Sequence, residues 1–280
     1  PADEGCGPVA PSGLVVRRPV SFGPVDGLTR SLDMSGLLQR LLPASLRQAL
    51  RNRALQGDTV WCPICELGAI AYLPSGSPPR PHVLCPFCGS RERARMTWMF
   101  LMERKALRPG LRILHIAPEA CLREKLKALP SVEYVAGDKH ETGYTYPAGT
   151  VDLDVTKLPF PDERFDLILC SHVLEHVPQD RLAMRELYRV LAPGGLGILM
   201  VPIKADLQVT QEDPSVVDPK ERERLYGQFD HVRLYGSDYT QRLRDAGFTV
   251  TEDAMTERLS AEQVFRAGLL RGEIVHAVTK

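Results

Sequence analysis

The chain carries no surplus of charge of either sign: 35 Lys and Arg balance 35 Asp and Glu over 280 residues. Bulk electrostatics therefore give no pull toward nucleic acid or an anionic membrane, and any such partner must meet a local patch. No apolar run approaches the roughly 18–20 residues that span a bilayer, which excludes a helical membrane protein. No charged-then-apolar leader opens the sequence either, so a cytoplasmic location is expected. The first Met is Met34, and a natural start there is one reading. Residues 1–33 are rich in Pro and Gly without apolar periodicity and read as a disordered tail.

Cysteine is present but in an odd number, seven, which argues against a disulfide framework. Spacing is more informative than count. Cys62-Pro-Ile-Cys65 and Cys85-Pro-Phe-Cys88 are two CxxC pairs separated by nineteen residues, the interval of a zinc ribbon. Four thiolates fill a tetrahedral zinc and leave no open position, so Cys62, Cys65, Cys85 and Cys88 are expected to hold a structural ion in a module over residues 58–90. His82 is a conceivable substitute ligand, but four cysteines already suffice. Cys6 is left over, and Cys121 and Cys170 read as small buried hydrophobes. Arg91, Arg93 and Arg95 follow the module directly. Glu92 interrupts them and stacking aromatics are lacking, so residues 91–110 read as a linking helix with Met96, Met99, Phe100 and Leu107 toward a core, in preference to an RNA-reading face.

Between Asp154 and Pro202 three signals follow one another. Phe165 to Cys170 is a short apolar run of the kind that forms a buried parallel strand. Gln179 to Leu191 places Leu182, Leu187, Val190 and Leu191 near helical spacing and is stopped by Pro193-Gly194-Gly195. Leu196 to Val201 is apolar again, completing a strand, helix, strand unit with a right-handed crossover. The order LPFPDxxFD, HVLEHV and RELYRVLxPGG resembles the class I S-adenosylmethionine-dependent methyltransferases. A HxAPE loop at His115 to Glu119, together with the CPxCGSxER run from Cys85, resembles a subgroup with an N-terminal four-cysteine ribbon. The resemblance implies an α/β fold with a doubly wound, mostly parallel seven-stranded Rossmann-like sheet over residues 111–280 and an antiparallel last strand. It also implies S-adenosylmethionine as cofactor.

The family's first loop normally carries glycines so that backbone can approach the donor and turn tightly. Here all are missing. Ala117 precedes Pro118 and is expected to be extended, while Pro118-Glu119 is expected to open a helix over Ala120 to Leu129. By resemblance His115, Ala117 and Glu119 lie at the methionine end of the donor, with Glu119 or His115 meeting its ammonium. Val132 to Asp138 is the second strand, and its terminal carboxylate can accept two hydrogen bonds from ribose hydroxyls. Asp154 and Val155 are placed at the adenine, and Ser171 at the end of the fourth strand. A nicotinamide dehydrogenase would need GxGxxG after the first strand, and that motif is absent.

Methyl transfer needs alignment and, for a protonated acceptor, a base. His172 and His231 are the candidate bases, whereas Glu175 and His176 read as helix-start and packing residues. Residues 203–236 form a polar insertion expected to shape the acceptor pocket. Residues 34–57 carry Leu37, Leu38, Leu41, Leu42, Leu46 and Leu50 among arginines, two short helices split by Pro43 that dock on the domain or touch a membrane surface. The methyl acceptor stays open: a small metabolite, glycan or lipid-linked molecule is favoured over RNA. A non-catalytic interaction module with a degenerate methyltransferase domain is the alternative.

Overall fold

The computed structural model describes residues 43–76, 78–140 and 145–280. The tail, Cys6 and the leucines before Pro43 lie outside them. The described residues fall into two units that divide between Arg51 and Asn52. The helix after Pro43, α1, runs Ala44–Leu55, and on it Leu46 and Leu50 are exposed. Gln56 and Gly57, expected at the end of that helical segment, already belong to the first strand.

The second unit opens with two hairpins, β1 (Gln56–Cys62) with β2 (Leu67–Ala69) and β3 (Leu73–Ser75) with β4 (Arg80–Leu84). Helix α2 (Glu92–Glu103) follows. Then come β5 (Arg112–Ile116), α3 (Ala120–Lys127), β6 (Glu133–Asp138), β7 (Thr150–Asp152), β8 (Phe165–Ser171), a 3-10 turn Leu174–His176, α4 (Asp180–Val190) and β9 (Leu191–Met200). The chain closes with β10 (Gln211–Glu212), α5 (Pro219–Tyr226), β11 (Arg233–Leu234), α6 (Tyr239–Asp245), β12 (Thr249–Asp253), α7 (Ala261–Ala267) and β13 (Val275–Thr279).

Seven strands form one sheet in the order β12-β13-β9-β8-β5-β6-β7. Strands β5 to β9 run parallel, and β13 is antiparallel to both neighbours. This is the doubly wound, Rossmann-like arrangement expected from the sequence. Chain order moves outward from β5 through β6 and β7, then returns to β5's other side with β8. The carboxyl ends of β5 and β8 therefore flank a topological switch point, where parallel sheets of this kind open a crevice.

Alternation along β5 divides the core. Leu114 and Ile116 face Met184, Leu187 and Val190 of α4, all fully or nearly buried. Ile113 belongs to the opposite face with Met96 and Phe100 of α2 and Leu122 of α3. Each such aliphatic or aromatic side chain contributes about 1.5–3 kcal/mol when fully buried. The expected helix stop is displaced: α4 ends at Val190, and Pro193-Gly194-Gly195 lies inside β9. There the pairing jumps from Phe165↔Leu191 to Leu167↔Leu196, and Gly194 takes φ +70. Leu191 therefore starts a strand because its partner Phe165 offers a parallel ladder at that point.

Arg95 is entirely buried, which removes it from any nucleic-acid surface. Its guanidinium donates to the carbonyls of Ala267 (2.7 Å), Gly268 (2.7 Å), Val83 (2.9 Å) and Ser90, and it lies 4.1 Å over the Tyr72 ring. The side chain thus joins the hairpin module to α7's end. Arg95→Met strands those carbonyls, each worth about 1–3 kcal/mol when left unpaired in the interior. The expected result is a loss of at least about 3 kcal/mol in urea unfolding, with a matching fall in the midpoint.

Candidate functional site

A cavity of about 840 Å³ opens at the switch point. Ile116 and Ala117 from the end of β5, Asp138 from the end of β6, Leu153 to Thr156 after β7, and His172 after β8 line it. The insertion contributes Arg222, Asp230 and Val232, and the turn after β8 contributes His176 to Gln179. Four residues read from the sequence as donor contacts, Ala117, Asp138, Asp154 and Val155, are brought together here. His172 joins them.

Ala117 is not extended as its Pro neighbour suggested. It takes φ +47, the left-handed region, while its N–H continues the β5–β6 ladder to the Gly137 carbonyl at 2.8 Å. That bond and the sharp turn into α3 override the local preference imposed by Pro118. Ala117 therefore adopts the conformation that glycine would supply, at a cost of about 1–2 kcal/mol. Pro118 also stands outside the helix: Glu119 is the N-cap, with extended backbone and no side-chain capping bond.

His115 and Glu119 do not line the cavity. His115 is buried, its Nδ1 2.9 Å from the Tyr134 hydroxyl and its Nε2 3.1 Å from Glu119 Oε2. The other Glu119 oxygen lies 3.5 Å from Arg93 Nε on α2. Burial works to raise the Glu119 pKa, but the His115 hydrogen bond and the charges of His115 and Arg93 outweigh it and hold the carboxyl below its ordinary range. These two residues brace the loop from behind. Ser171 is likewise buried and leaves the lining to its neighbour.

Asp154 spends Oδ1 on Thr156, accepting from its amide at 2.9 Å and its hydroxyl at 2.6 Å, and those bonds lower its pKa. His172 also takes a positive φ, +56, and its Nδ1 stands 3.3 Å from Glu175 Oε1. His231 is buried and does not line the cavity. Its Nδ1 donates to the Tyr226 carbonyl at 3.0 Å, and desolvation lowers its pKa. Glu175 and His176 are not the start of α4, as they read in the sequence; they form a separate 3-10 turn, ended by Val177-Pro178 before α4 begins. His176 reaches the cavity wall, edge-on to His231 with ring centroids 4.7 Å apart. The sequence signal for it was the spacing of His172, Glu175 and His176, three and four residues apart, which brings side chains together on a single turn.

The four cysteines of the two CxxC pairs converge on one point. Sulfur separations are 3.6 Å for Cys62–Cys88 and 3.7 Å for Cys65–Cys85. A tetrahedral ion with Zn–S bonds of about 2.3 Å sets edges of about 3.8 Å, so the donor set fits. Ser90 Oγ lies 3.3 Å and 3.2 Å from the Cys62 and Cys88 sulfurs. His82 is no ligand; its ring stacks on Phe265 and Nε2 meets that residue's carbonyl at 2.8 Å. Cys121 and Cys170 are buried thiols, with burial pushing Cys121 up to about 12.

With the geometry in place, residues 116–199 match the family model described as a methyltransferase domain. This stretch runs from the end of β5 through β9 and includes the strand ends that line the cavity. A ubiquinone/menaquinone biosynthesis C-methyltransferase of Ectopseudomonas mendocina is 32% identical over 116 residues, 36% of this chain and 45% of that protein. An arsenite methyltransferase of Aquipseudomonas alcaligenes is 28% identical over 125 residues, 41% of this chain and 34% of that one. The chain spans less than half the length of these curated relatives. Among solved structures, the Burkholderia thailandensis 1,6-didemethyltoxoflavin-N1-methyltransferase has a TM-score of 0.45 at 18% identity, covering 68% of this chain and 79% of that one.

The strained alanine gives a direct test. Glycine in place of an ordinary loop residue loses about 0.5–1 kcal/mol through unfolded-chain entropy. At a left-handed position the relief of strain offsets that loss. Ala117→Gly is therefore expected to unfold at the wild-type urea midpoint or above it.

Proposed function

We propose that the chain is an S-adenosylmethionine-dependent methyltransferase whose donor occupies the cavity at the switch point. The observation that carries this reading is the convergence of Ala117, Asp138, Asp154 and Val155 on one cavity, from three successive strand ends. In this reading Asp138 accepts hydrogen bonds from the ribose hydroxyls, Asp154 and Val155 border the adenine, and the turned backbone at Ala117 approaches the methionine end. His115, Glu119 and Ser171 support the donor from behind the lining. The transfer is an in-line displacement, so the chain's task is alignment, with His172 as the base that reaches the cavity.

The relatives' names span a carbon acceptor and arsenite, and thus no acceptor carries over from them. A small molecule fits the reading best, since the cavity is bounded by the insertion through Arg222, Asp230 and Val232. Against RNA stands the burial of Arg95 and the pairing of Arg93 with Glu119. Among the described residues no helix is long and apolar enough to cross a membrane. Calorimetry with S-adenosylmethionine and its demethylated product tests the function. Asp138→Ala removes charged hydrogen bonds worth about 1.5–3 kcal/mol, so affinity for both should fall about ten- to a hundredfold. No measurable binding of either ligand to the wild-type protein would leave the non-catalytic reading standing instead.

We further assign a structural zinc ion to Cys62, Cys65, Cys85 and Cys88. Hairpins this small bury too little core to hold themselves, and a thiolate-bound zinc supplies the missing free energy. Cys85→Ser is expected to lower zinc content relative to the wild-type chain and to lower the thermal midpoint. A variant with unchanged zinc by elemental analysis contradicts the assignment.

A further inference from the structure

We propose that Glu175, His176 and His231 form a second metal site, for a divalent transition ion, in the wall of the cavity. Each residue offers one ligand atom, and the three atoms lie within 4.8 Å of one another. Two imidazoles and one carboxylate are a donor set suited to Zn²⁺, Fe²⁺ or Co²⁺, and three protein ligands leave positions open for a further molecule. Donors about 2.1 Å from one ion stand roughly 3–3.5 Å apart, so only a small closure of side chains is needed.

Each of the three side chains also has a neighbour that anchors it. His231 Nδ1 faces the Tyr226 carbonyl at 3.0 Å, and a carbonyl only accepts, so Nδ1 carries the proton and Nε2 keeps its lone pair. His176 Nδ1 lies 3.4 Å from Asp230 Oδ2, which holds the ring beside that carboxylate. Glu175 Oε1 meets His172 Nδ1 at 3.3 Å. Oriented histidines whose outer nitrogen donates to a carbonyl or carboxylate are the usual support of metal-binding imidazoles. Glu175 is 1% exposed, yet its Oε2 has no hydrogen-bond partner. A buried oxygen without a partner loses its hydration uncompensated, a cost that a bound cation would offset.

Of the three ligands His176 lines the cavity, so an ion held here would adjoin the space assigned to substrate. A hydroxyl bound there would ionise far more readily than in water. That consequence rests on the methyltransferase reading; binding of the ion does not.

Co²⁺ titration of the full chain, with the cysteine site left as purified, tests the proposal by absorption and equilibrium dialysis. One additional Co²⁺ should bind with weak d–d bands and without sulfur-to-cobalt charge transfer. Glu175→Gln and His176→Gln should each weaken that uptake at least tenfold. His176 is only half-buried, so its variant keeps the test valid if Glu175→Gln fails to fold. Uptake showing only the sulfur charge-transfer band, or uptake unchanged in His176→Gln, overturns the site. Donor calorimetry on the same samples separates the two readings. Donor binding without the second Co²⁺ removes the metal site alone, and Co²⁺ uptake without donor binding upholds the site while counting against the methyltransferase.

Discussion

The side of the cavity formed by residues 203–236 depends on one buried charge network, centred on Asp180 at the start of α4. Its carboxylate meets Arg242 of α6 at 3.1 Å, the Tyr235 hydroxyl at 2.8 Å and Arg233 of β11 at 3.7 Å. Glu212 of β10 closes the ring, 2.8 Å from Arg233 and 2.9 Å from Arg242. Burying charges costs several kcal/mol per ion, and only good geometry with every donor used returns that cost. Here the arginines are nearly fully buried and the remaining Arg233 donors go to the carbonyls of Leu174, Val177 and Pro178. These three carbonyls belong to the turn that carries Glu175 and His176. The insertion is therefore locked to the strand end it covers, and Asp230, His231 and Val232 reach the turn in a fixed register. The Val232 amide bond to the Glu175 carbonyl, 2.9 Å, is the direct expression of that register.

A second buried guanidinium does comparable work at the other end of the unit. Arg95 satisfies itself on carbonyls with no carboxylate partner, which makes it a geometric clamp more than an ion pair. Because its partners come from Val83, Ser90 and residues 267–268, the four-cysteine module cannot rotate against the sheet without stranding a buried cation. The module and the sheet belong to the same compact unit, Asn52–Lys280.

Much of this was legible in the chain. Apolar runs placed β8 and α4 to within a residue and found the second half of β9, although the Pro-Gly stop lies inside that strand, and CxxC spacing brought four sulfurs together. Strand ends with acids at Asp138 and Asp154 marked two sides of the cavity. What stayed hidden were relations between distant segments. The left-handed Ala117 was misread because the local rule for a residue before proline was applied without the β6 ladder that overrules it. His176 was read as packing because its partners, Asp230 and His231, are more than fifty residues away and meet it only through the Arg233 register. Arg95 looked like one of three surface arginines, since nothing in a helix's own sequence reveals carbonyls arriving from residues 267 and 268.

The loop after β5 shows how a glycine-free turn is held. A left-handed alanine needs support from its surroundings, and the support is a chain of contacts running backward from it: Glu119 to His115, His115 to Tyr134 on β6, and Glu119 to Arg93 on α2. Arg93 stands five residues after Cys88, and α2 is the helix that Arg95 pins to the cysteine module. The loop that turns backbone toward the cavity is thereby braced by the element that follows the four sulfurs. In a glycine-rich loop the turn costs little and needs no such brace. With alanine and proline in place of glycine, the strain has to be met by a neighbouring structure, and the module's position beside α2 supplies it. The cysteine module is thus joined, through α2, to the contacts that back the loop.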